Sequence, residues 1–481
     1  MTPKCLLLPW VLVVGLGAAC TPAAPGELRG RVLAAGAPVA DARVRLQATP
    51  DLPGRPGFVL TDGGGRFVLP VPADVAPGAL IVTAGKEGYK NAVAEVRGQA
   101  GGSGQAPGDV RLELVPVPPG PRGDYPFSSG NTGNFPCFQC HLTQLNDWEL
   151  STHASASLDP IVLAQLTGFF TWFDGGRDLG KRFVDSDGTP YTVATDATRR
   201  SECAECHAPA LVQAGGDDFG QVARDPDGPR VVREGVTCDV CHKMRGARLG
   251  DLNNLTKPGL QLADVRLPPP GEEVLFGPYD DVTFAPTGAA YAPAMATGEA
   301  CAPCHNNARV VTLRDAGGGT RTRRIFGEDT WREWRFDAAT VHAVETEGEA
   351  PPSGDGPYVT GANYAGRPLA CQDCHMNDPP PDPATGETIA GYRTLGTEPR
   401  RIATHAAAPL RHPIDQRPHG FEGVSERMIA WAVELRATAR RVGGEIVVDV
   451  EVENRHTGHS FPSGLPDRHA LLLVSASDGG G

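Results

Sequence analysis

Five pentapeptides of the form C-x-x-C-H divide the chain: CFQCH from Cys137, CAECH from Cys203, CDVCH from Cys238, CAPCH from Cys301 and CQDCH from Cys371. They take up ten of the 12 cysteines and five of the 13 histidines, so one arrangement has to account for nearly all the sulfur in the protein. A zinc site needs C-x-x-C units in pairs or a second ligand pair at a set spacing, and five is an odd number. A thioredoxin-like C-x-x-C would explain one copy and would not require the histidine. Cysteine is also too sparse in 481 residues for a disulfide scaffold. What fits all five copies is covalent attachment of a c-type haem, because two thiols on one turn of backbone can add to the two vinyl groups of the macrocycle. The attachment pairs are Cys137 and Cys140, Cys203 and Cys206, Cys238 and Cys241, Cys301 and Cys304, and Cys371 and Cys374. The residue after each second thiol, His141, His207, His242, His305 or His375, then reaches the iron as its proximal ligand.

Five macrocycles supply apolar bulk that this polypeptide is short of. Gly (60) and Pro (45) exceed a fifth of the chain and aromatic residues are 6%, so long helices and a large aliphatic core are not expected over most of it. The formal charge of −13 becomes more negative once haem propionates are added, which excludes nucleic acid as a partner and leaves redox proteins of unknown identity. The length suits two or three domains.

Residues 1–19 have the order of an export signal: Lys4, an apolar run from Cys5 to Gly17 too short to span a bilayer, then Ala18 and Ala19. Cys20 after these small residues resembles a bacterial lipoprotein signal, in which the chain is cut before the cysteine and its thiol is acylated. The expected location is the periplasm, or the outer membrane or cell surface of a bacterium, held by a lipid anchor. From 27 to 117 short alternating runs such as Leu28–Leu33, Arg66–Leu69 and Val110–Val115 are separated by Gly, Pro and Asp clusters, which predicts a small antiparallel β-sandwich. Thr61-Asp-Gly-Gly-Gly-Arg-Phe67, with Gly36–Ala42 and Gly88-Tyr89, resembles the carboxypeptidase-regulatory-like β-sandwich, which implies an accessory module. The Gly/Pro-rich stretches 98–108 and 117–123 read as a loop and a linker.

The region 125–423 holds all five motifs and is expected to be mostly irregular and α-helical. Haem iron has one position left after the porphyrin and the proximal histidine, and a second histidine there makes a closed, low-potential electron carrier. Outside the motifs stand His153, His342, His405, His412, His419, His456, His459 and His469, so ligation of most irons by two histidines is the cheapest assignment. The candidate distal ligands are His153, His342, His405, His412, His419 and His459. His153 follows Trp148 in Asn146–Ala154, and His342 follows Trp331 and Trp334, a weak internal echo. The three imidazoles between His405 and His419 also admit a separate metal site. Met295 and Met428 are the methionines placed to act as ligands instead.

The tract Arg233–Lys243, the turn Leu275-Phe-Gly-Pro-Tyr279 and Cys371–Met376 together resemble the multihaem cytochromes grouped with hydroxylamine oxidoreductase, and the tetrahaem cytochrome that takes its electrons. The resemblance spans 135–423 and implies a ligand role for His419 within Arg417-Pro-His-Gly-Phe-Glu-Gly423. Relatives carry a histidine after the F-G-P-Y-like turn, whereas 280–300 has none here. The tyrosine cross-link and lysine-ligated motif of the enzyme relatives have no counterpart either.

From 428 strands are expected again over 433–439, 446–452 and 470–475, and Gly443-Gly444 should be a turn. Asn454–Gly464 resembles the N-x-x-x-G-H-x-x-P-[ST]-G loop appended to these cytochromes and carries His459. A β-domain that begins here and stops at Asp478-Gly-Gly-Gly481 is expected to be incomplete. The whole is a multidomain chain whose expected work is electron transfer through five haems. The alternatives are a reductase or oxidase of small nitrogen or sulfur compounds with one open haem, where Tyr279, Tyr364 and Arg367 are available, and a surface adhesion protein that contains haems. No residue is singled out as catalytic.

Overall fold

The computed structural model describes residues 26–47, 57–72, 79–97, 109–120, 125–128, 137–167, 173–174, 177–178, 183–184, 190–191, 203–216, 225, 227–248, 259–269, 271–283, 288–314, 319–336, 370–376, 400–401, 410–411, 417–423, 426–454, 457–464, 468–475 and 477. The expectations for the export signal, Cys20, His342, His405 and His412 lie outside these residues.

Alternation of side chains builds the N-terminal unit. In β5 (Arg66–Val71) Phe67, Leu69 and Val71 point inward while their neighbours face solvent. β1 (Gly26–Ala34) pairs antiparallel with β5 and with β2 (Ala37–Pro38), and parallel with β9 (Val110–Glu113). A second sheet runs β4 (Phe58–Leu60), β3 (Arg43–Leu46), β6 (Ala79–Gly85), β8 (Ala92–Arg97). One continuous core lies between them, including Val32, Val44, Phe67, Val82 and Leu112. Gly30 is required where β1 crosses β9, because a Cβ there would sit 2.1 Å from the Val110 carbonyl oxygen. Asp62 closes the turn into β5 by accepting from the Gly64 and Arg66 amides, both at 2.8 Å.

This unit continues into the motif region through a shared sheet. β7 (Tyr89–Lys90) pairs with β10 (Val115–Pro116) on one side and with strand Ala289–Tyr291 on the other, which pairs in parallel with Leu275–Gly277. The stretch expected as a linker begins with Val117, whose amide donates to the Gly88 carbonyl at 2.9 Å.

Beyond residue 125 the elements are short. Four α-helices or helical turns, and one 3-10 turn at Cys137–Gln139, carry the motifs, and hairpins such as Asn307–Arg314 with Thr320–Glu328 lie between them. Strand content is therefore higher than composition suggests, because the hairpins are local and need little core. Near the end, Val433–Val442 pairs with Glu445–Asn454 around Gly443 and Gly444, both at positive φ. Leu435, Ile446, Val448 and Val452 on this hairpin are exposed. Over 470–475, where a strand is expected, the chain has no regular secondary structure, and Leu471 to Val474 are exposed. Among the described residues no helix is long and apolar enough to cross a membrane.

Candidate haem centres

Helical geometry explains the motif spacing: on one turn the cysteines at i and i+3 share a face and the histidine follows directly. Thr237 caps the third motif helix, Cys238–His242, by accepting from the Val240 amide at 3.4 Å. In the fifth, Cys371–His375, the Asp373 carboxylate accepts from the Ala370 amide at 2.8 Å. Acidic residues inside the motifs are thus structural. Asp239 accepts from the Tyr125 hydroxyl at 3.1 Å and the Ser128 amide at 2.9 Å. Glu205, whose carboxyl burial pushes up, accepts from Gln261 at 3.0 Å.

No disulfide joins the ten motif cysteines, and cysteines of different motifs lie against each other: Cys137 with Cys238, Cys206 with Cys304, and Cys301 with Cys371. Burial raises the Cys241 thiol to about 12, with Cys304 and Cys301 adding to the shift. In space the motifs therefore run first, third, fourth, and the second and fifth both adjoin the fourth.

Imidazoles meet in pairs. His242 and His419 have ring centroids 6.4 Å apart with planes 25° from parallel, and His375 and His459 are 6.3 Å apart at 9°. His305 and His153 are 6.3 Å apart with planes at 85°. With metal–nitrogen bonds of about 2 Å on each side and ring radii of about 1.2 Å, two imidazoles sharing one metal hold their centroids roughly 6 Å apart. Rotation of either ring about the metal–nitrogen axis leaves that distance unchanged, so parallel and perpendicular pairs both fit.

The second ring nitrogens of most of these histidines fit as well, whereas Nδ1 of His153 is buried without a hydrogen-bond partner among the described residues. A ligand histidine uses its second ring nitrogen to hold an acceptor, which fixes the tautomer and leaves Nε2 for the metal. Nδ1 of His242 lies 2.7 Å from the Phe276 carbonyl, that of His375 2.5 Å from Glu422, and that of His207 3.2 Å from Ala156. On the distal side Nδ1 of His419 is 2.9 Å from the Arg417 carbonyl and that of His459 2.8 Å from Ser460. His305 differs: its Nδ1 faces the Glu328 carboxylate at 3.8 Å. Burial works against its charged form, yet Glu328, with Cys301 and Cys304, holds it up at about 9. His153 is driven to about 3 by burial and by His305, His375 and His207. His419 falls to about 4, mainly through burial and His242. Neutral imidazoles are the form a metal requires, which His153 and His419 meet and His305, kept protonated by Glu328, does not.

Two segments do most of the placing. Residues 148–157 are tied to the turn before the third motif, where Trp148 Nε1 donates to the Val236 carbonyl at 2.9 Å and the Val236 amide to the His153 carbonyl at 3.0 Å. Gly235, at φ 68°, lies so close that a Cβ would meet the His153 carbonyl oxygen at 2.7 Å. Residues 417–423 reach three centres: His419 pairs with His242, Phe421 packs edge-on against His153 at 4.4 Å, and the Glu422 carbonyl holds His375. Arg417 anchors this segment on Asp373 of the fifth motif at 2.7 Å.

His153, His419 and His459 therefore come to lie beside proximal histidines. Glu328, Arg417 and Phe421 were not visible as site residues in the sequence; Arg417 and Phe421 flank His419, which was the one available signal. Among the described residues no group of three or more His, Cys, Asp or Glu side chains is gathered to hold a separate metal ion.

Comparison with known proteins bears on this region. A solved structure, 3-chlorocatechol 1,2-dioxygenase from Rhodococcus opacus 1CP, is similar over 21% of this chain and 63% of its own, at 17% identity and a TM-score of 0.15, too low to carry an argument. No curated protein matches the chain. The family model of cytochrome c554 and c-prime matches residues 182–243. That stretch contains the motifs at Cys203 and Cys238, so this part of the chain is similar to a c-type cytochrome, and the match supports covalent haem attachment and electron transport there.

Proposed function

We propose that the chain is a five-haem cytochrome that passes electrons along irons closed on both faces by histidine. The observation that carries this reading is the set of three imidazole pairs at 6.3 to 6.4 Å, two of which, His242 with His419 and His375 with His459, have the second ring nitrogen of both members held by a backbone carbonyl. Bound haem supplies a one-electron couple at each iron. The chain's own residues fix the order of contact, set by Cys137 against Cys238, Cys241 beside Cys301 and Cys304, Cys206 against Cys304, and Cys301 against Cys371. Haems held at these cysteines would place the third centre between the first and the fourth, with the second and fifth beside the fourth. His342, His405 and His412 are the remaining candidates for the irons at His141 and His207. The resemblance to the hydroxylamine-oxidoreductase group and the carboxypeptidase-regulatory-like character of 27–117 belong to the same reading, as do export and acylation at Cys20.

Material from a haem-competent exporting host should carry five haems per chain, by mass and by iron content. Electron paramagnetic resonance of His419→Ala should show about a fifth of the low-spin signal converted to high spin. An unchanged spectrum removes His419 from the ligand set, and a high-spin signal in the unaltered protein would instead favour a site open to small nitrogen or sulfur compounds.

A further inference from the structure

The eleven residues 272–282 are gripped from two sides. From the N-terminal unit, Lys90 Nζ donates to the Glu272 and Glu273 carbonyls at 3.0 and 3.1 Å. Asn91 Nδ2 donates to the Tyr279 and Val282 carbonyls at 3.0 and 2.9 Å, while its Oδ1 accepts from the Tyr291 amide at 3.2 Å. Arg45 meets Asp280 at 2.8 Å with both side chains essentially buried, and Gln47 donates to the Asp281 carbonyl at 2.8 Å. The approach is tight enough that a Cβ on Gly85 would lie 2.7 Å from both Cβ and the carbonyl oxygen of Asp280. From the other side, the Phe276 carbonyl accepts from His242 and the Val274 carbonyl accepts from Lys243, each at 2.7 Å. One short segment thus transmits the position of the N-terminal unit to the third motif.

We propose that residues 26–117 are a positioning element for the haem at Cys238, Cys241 and His242, acting through segment 272–282 on the Phe276 carbonyl. An accessory module that only spaces or adheres needs a surface contact, and does not need to hold the carbonyl that faces an axial ligand. The acceptor on the second ring nitrogen of a ligand histidine sets both its orientation and its donor strength toward iron. Fixing Phe276 therefore fixes the potential of this one centre relative to its neighbours. The inference rests on the proposed role of His242 as an iron ligand.

The test uses the full haem-loaded chain with Asn91→Ala, which removes the donations to the Tyr279 and Val282 carbonyls, Lys90→Met, which removes those to the Glu272 and Glu273 carbonyls farther from Tyr279, and Arg29→Met as a control on an exposed pair. Redox titration of Asn91→Ala should move one of five one-electron steps and leave four in place. Lys90→Met should move the same step less, and Arg29→Met none. Combining each variant with His419→Ala identifies the displaced centre, because the haem made high-spin and the haem displaced should be the same one. If the variants keep five haems and all five steps match the unaltered protein, or if a different haem moves, the proposal is overturned while the haem reading stands. Should Asn91→Ala lose haem, Lys90→Met decides alone. An unaltered chain with fewer than five haems counts against the haem reading itself.

Discussion

Residues 26–117 and residues 125–423 solve the problem of burial differently. The first packs fourteen buried apolar side chains into one continuous core between two sheets. In the second, the buried apolar side chains among the described residues fall into groups of five, seven, three and four, scattered between motifs whose thiols and imidazoles occupy the spaces in between. A group of three to seven side chains buries too little area to order a region of this size against its conformational entropy. On the proposed reading, the motif region would draw its interior from its prosthetic groups, whereas the N-terminal unit carries its own core.

The most drastic way to break this contrast is to replace all ten motif cysteines with serine. Limited proteolysis followed by mass spectrometry should then find a surviving fragment covering 26–117, with 125–423 degraded; equal protection of both would contradict the comparison. Leu112→Ala attacks the other side. It should cost the N-terminal unit about 2–5 kcal/mol in denaturant titration while haem content stays at that of the unaltered protein. A finer probe is Glu328→Gln, which neutralises the carboxylate beside His305. It should raise the potential of one centre by on the order of 50 mV, since about 1.4 kcal/mol corresponds to 59 mV for one electron. No displacement of any step would leave Glu328 without influence on the iron.

The smallest expected effect concerns Asp62, whose carboxyl is held below its ordinary value of 3.8 chiefly by the Arg66 amide, with the Gly64 amide assisting. A depressed carboxylate stabilises the fold fully above that ordinary value, and its contribution is lost as pH falls through the lower folded value. Asp62→Asn should flatten this low-pH loss in the N-terminal unit and leave the motif region unaffected. Acid titration followed by circular dichroism reads the difference.

Local signals were legible in the sequence. Alternation placed the strands carrying Phe67 and Leu69, the Gly443-Gly444 pair placed a turn, and each C-x-x-C-H showed its own thiols and proximal histidine. Partnerships across long stretches of chain were not legible, because spacing says nothing about which distant segments meet. His242 and His419 are 177 positions apart and Arg45 and Asp280 are 235 apart, so neither pairing had a periodic signature. The contacts of the turn after Tyr279 were equally hidden: Asp280 is engaged by Arg45 and the Asp281 carbonyl by Gln47. The exposed face of the hairpin 433–454 belongs with these, since alternation predicts a buried side without naming what lies against it.

The heptapeptide from Arg417 to Gly423 follows all five attachment motifs along the chain, and His459 comes later still. On the proposed reading, macrocycles can be joined to each motif as it emerges from the export channel, but the irons at His242 and His375 gain their second imidazole only when the tail arrives. A maturing molecule would thus pass through a coloured, reactive stage, and segments that emerge after the fifth motif would be the ones that render it inert toward small ligands.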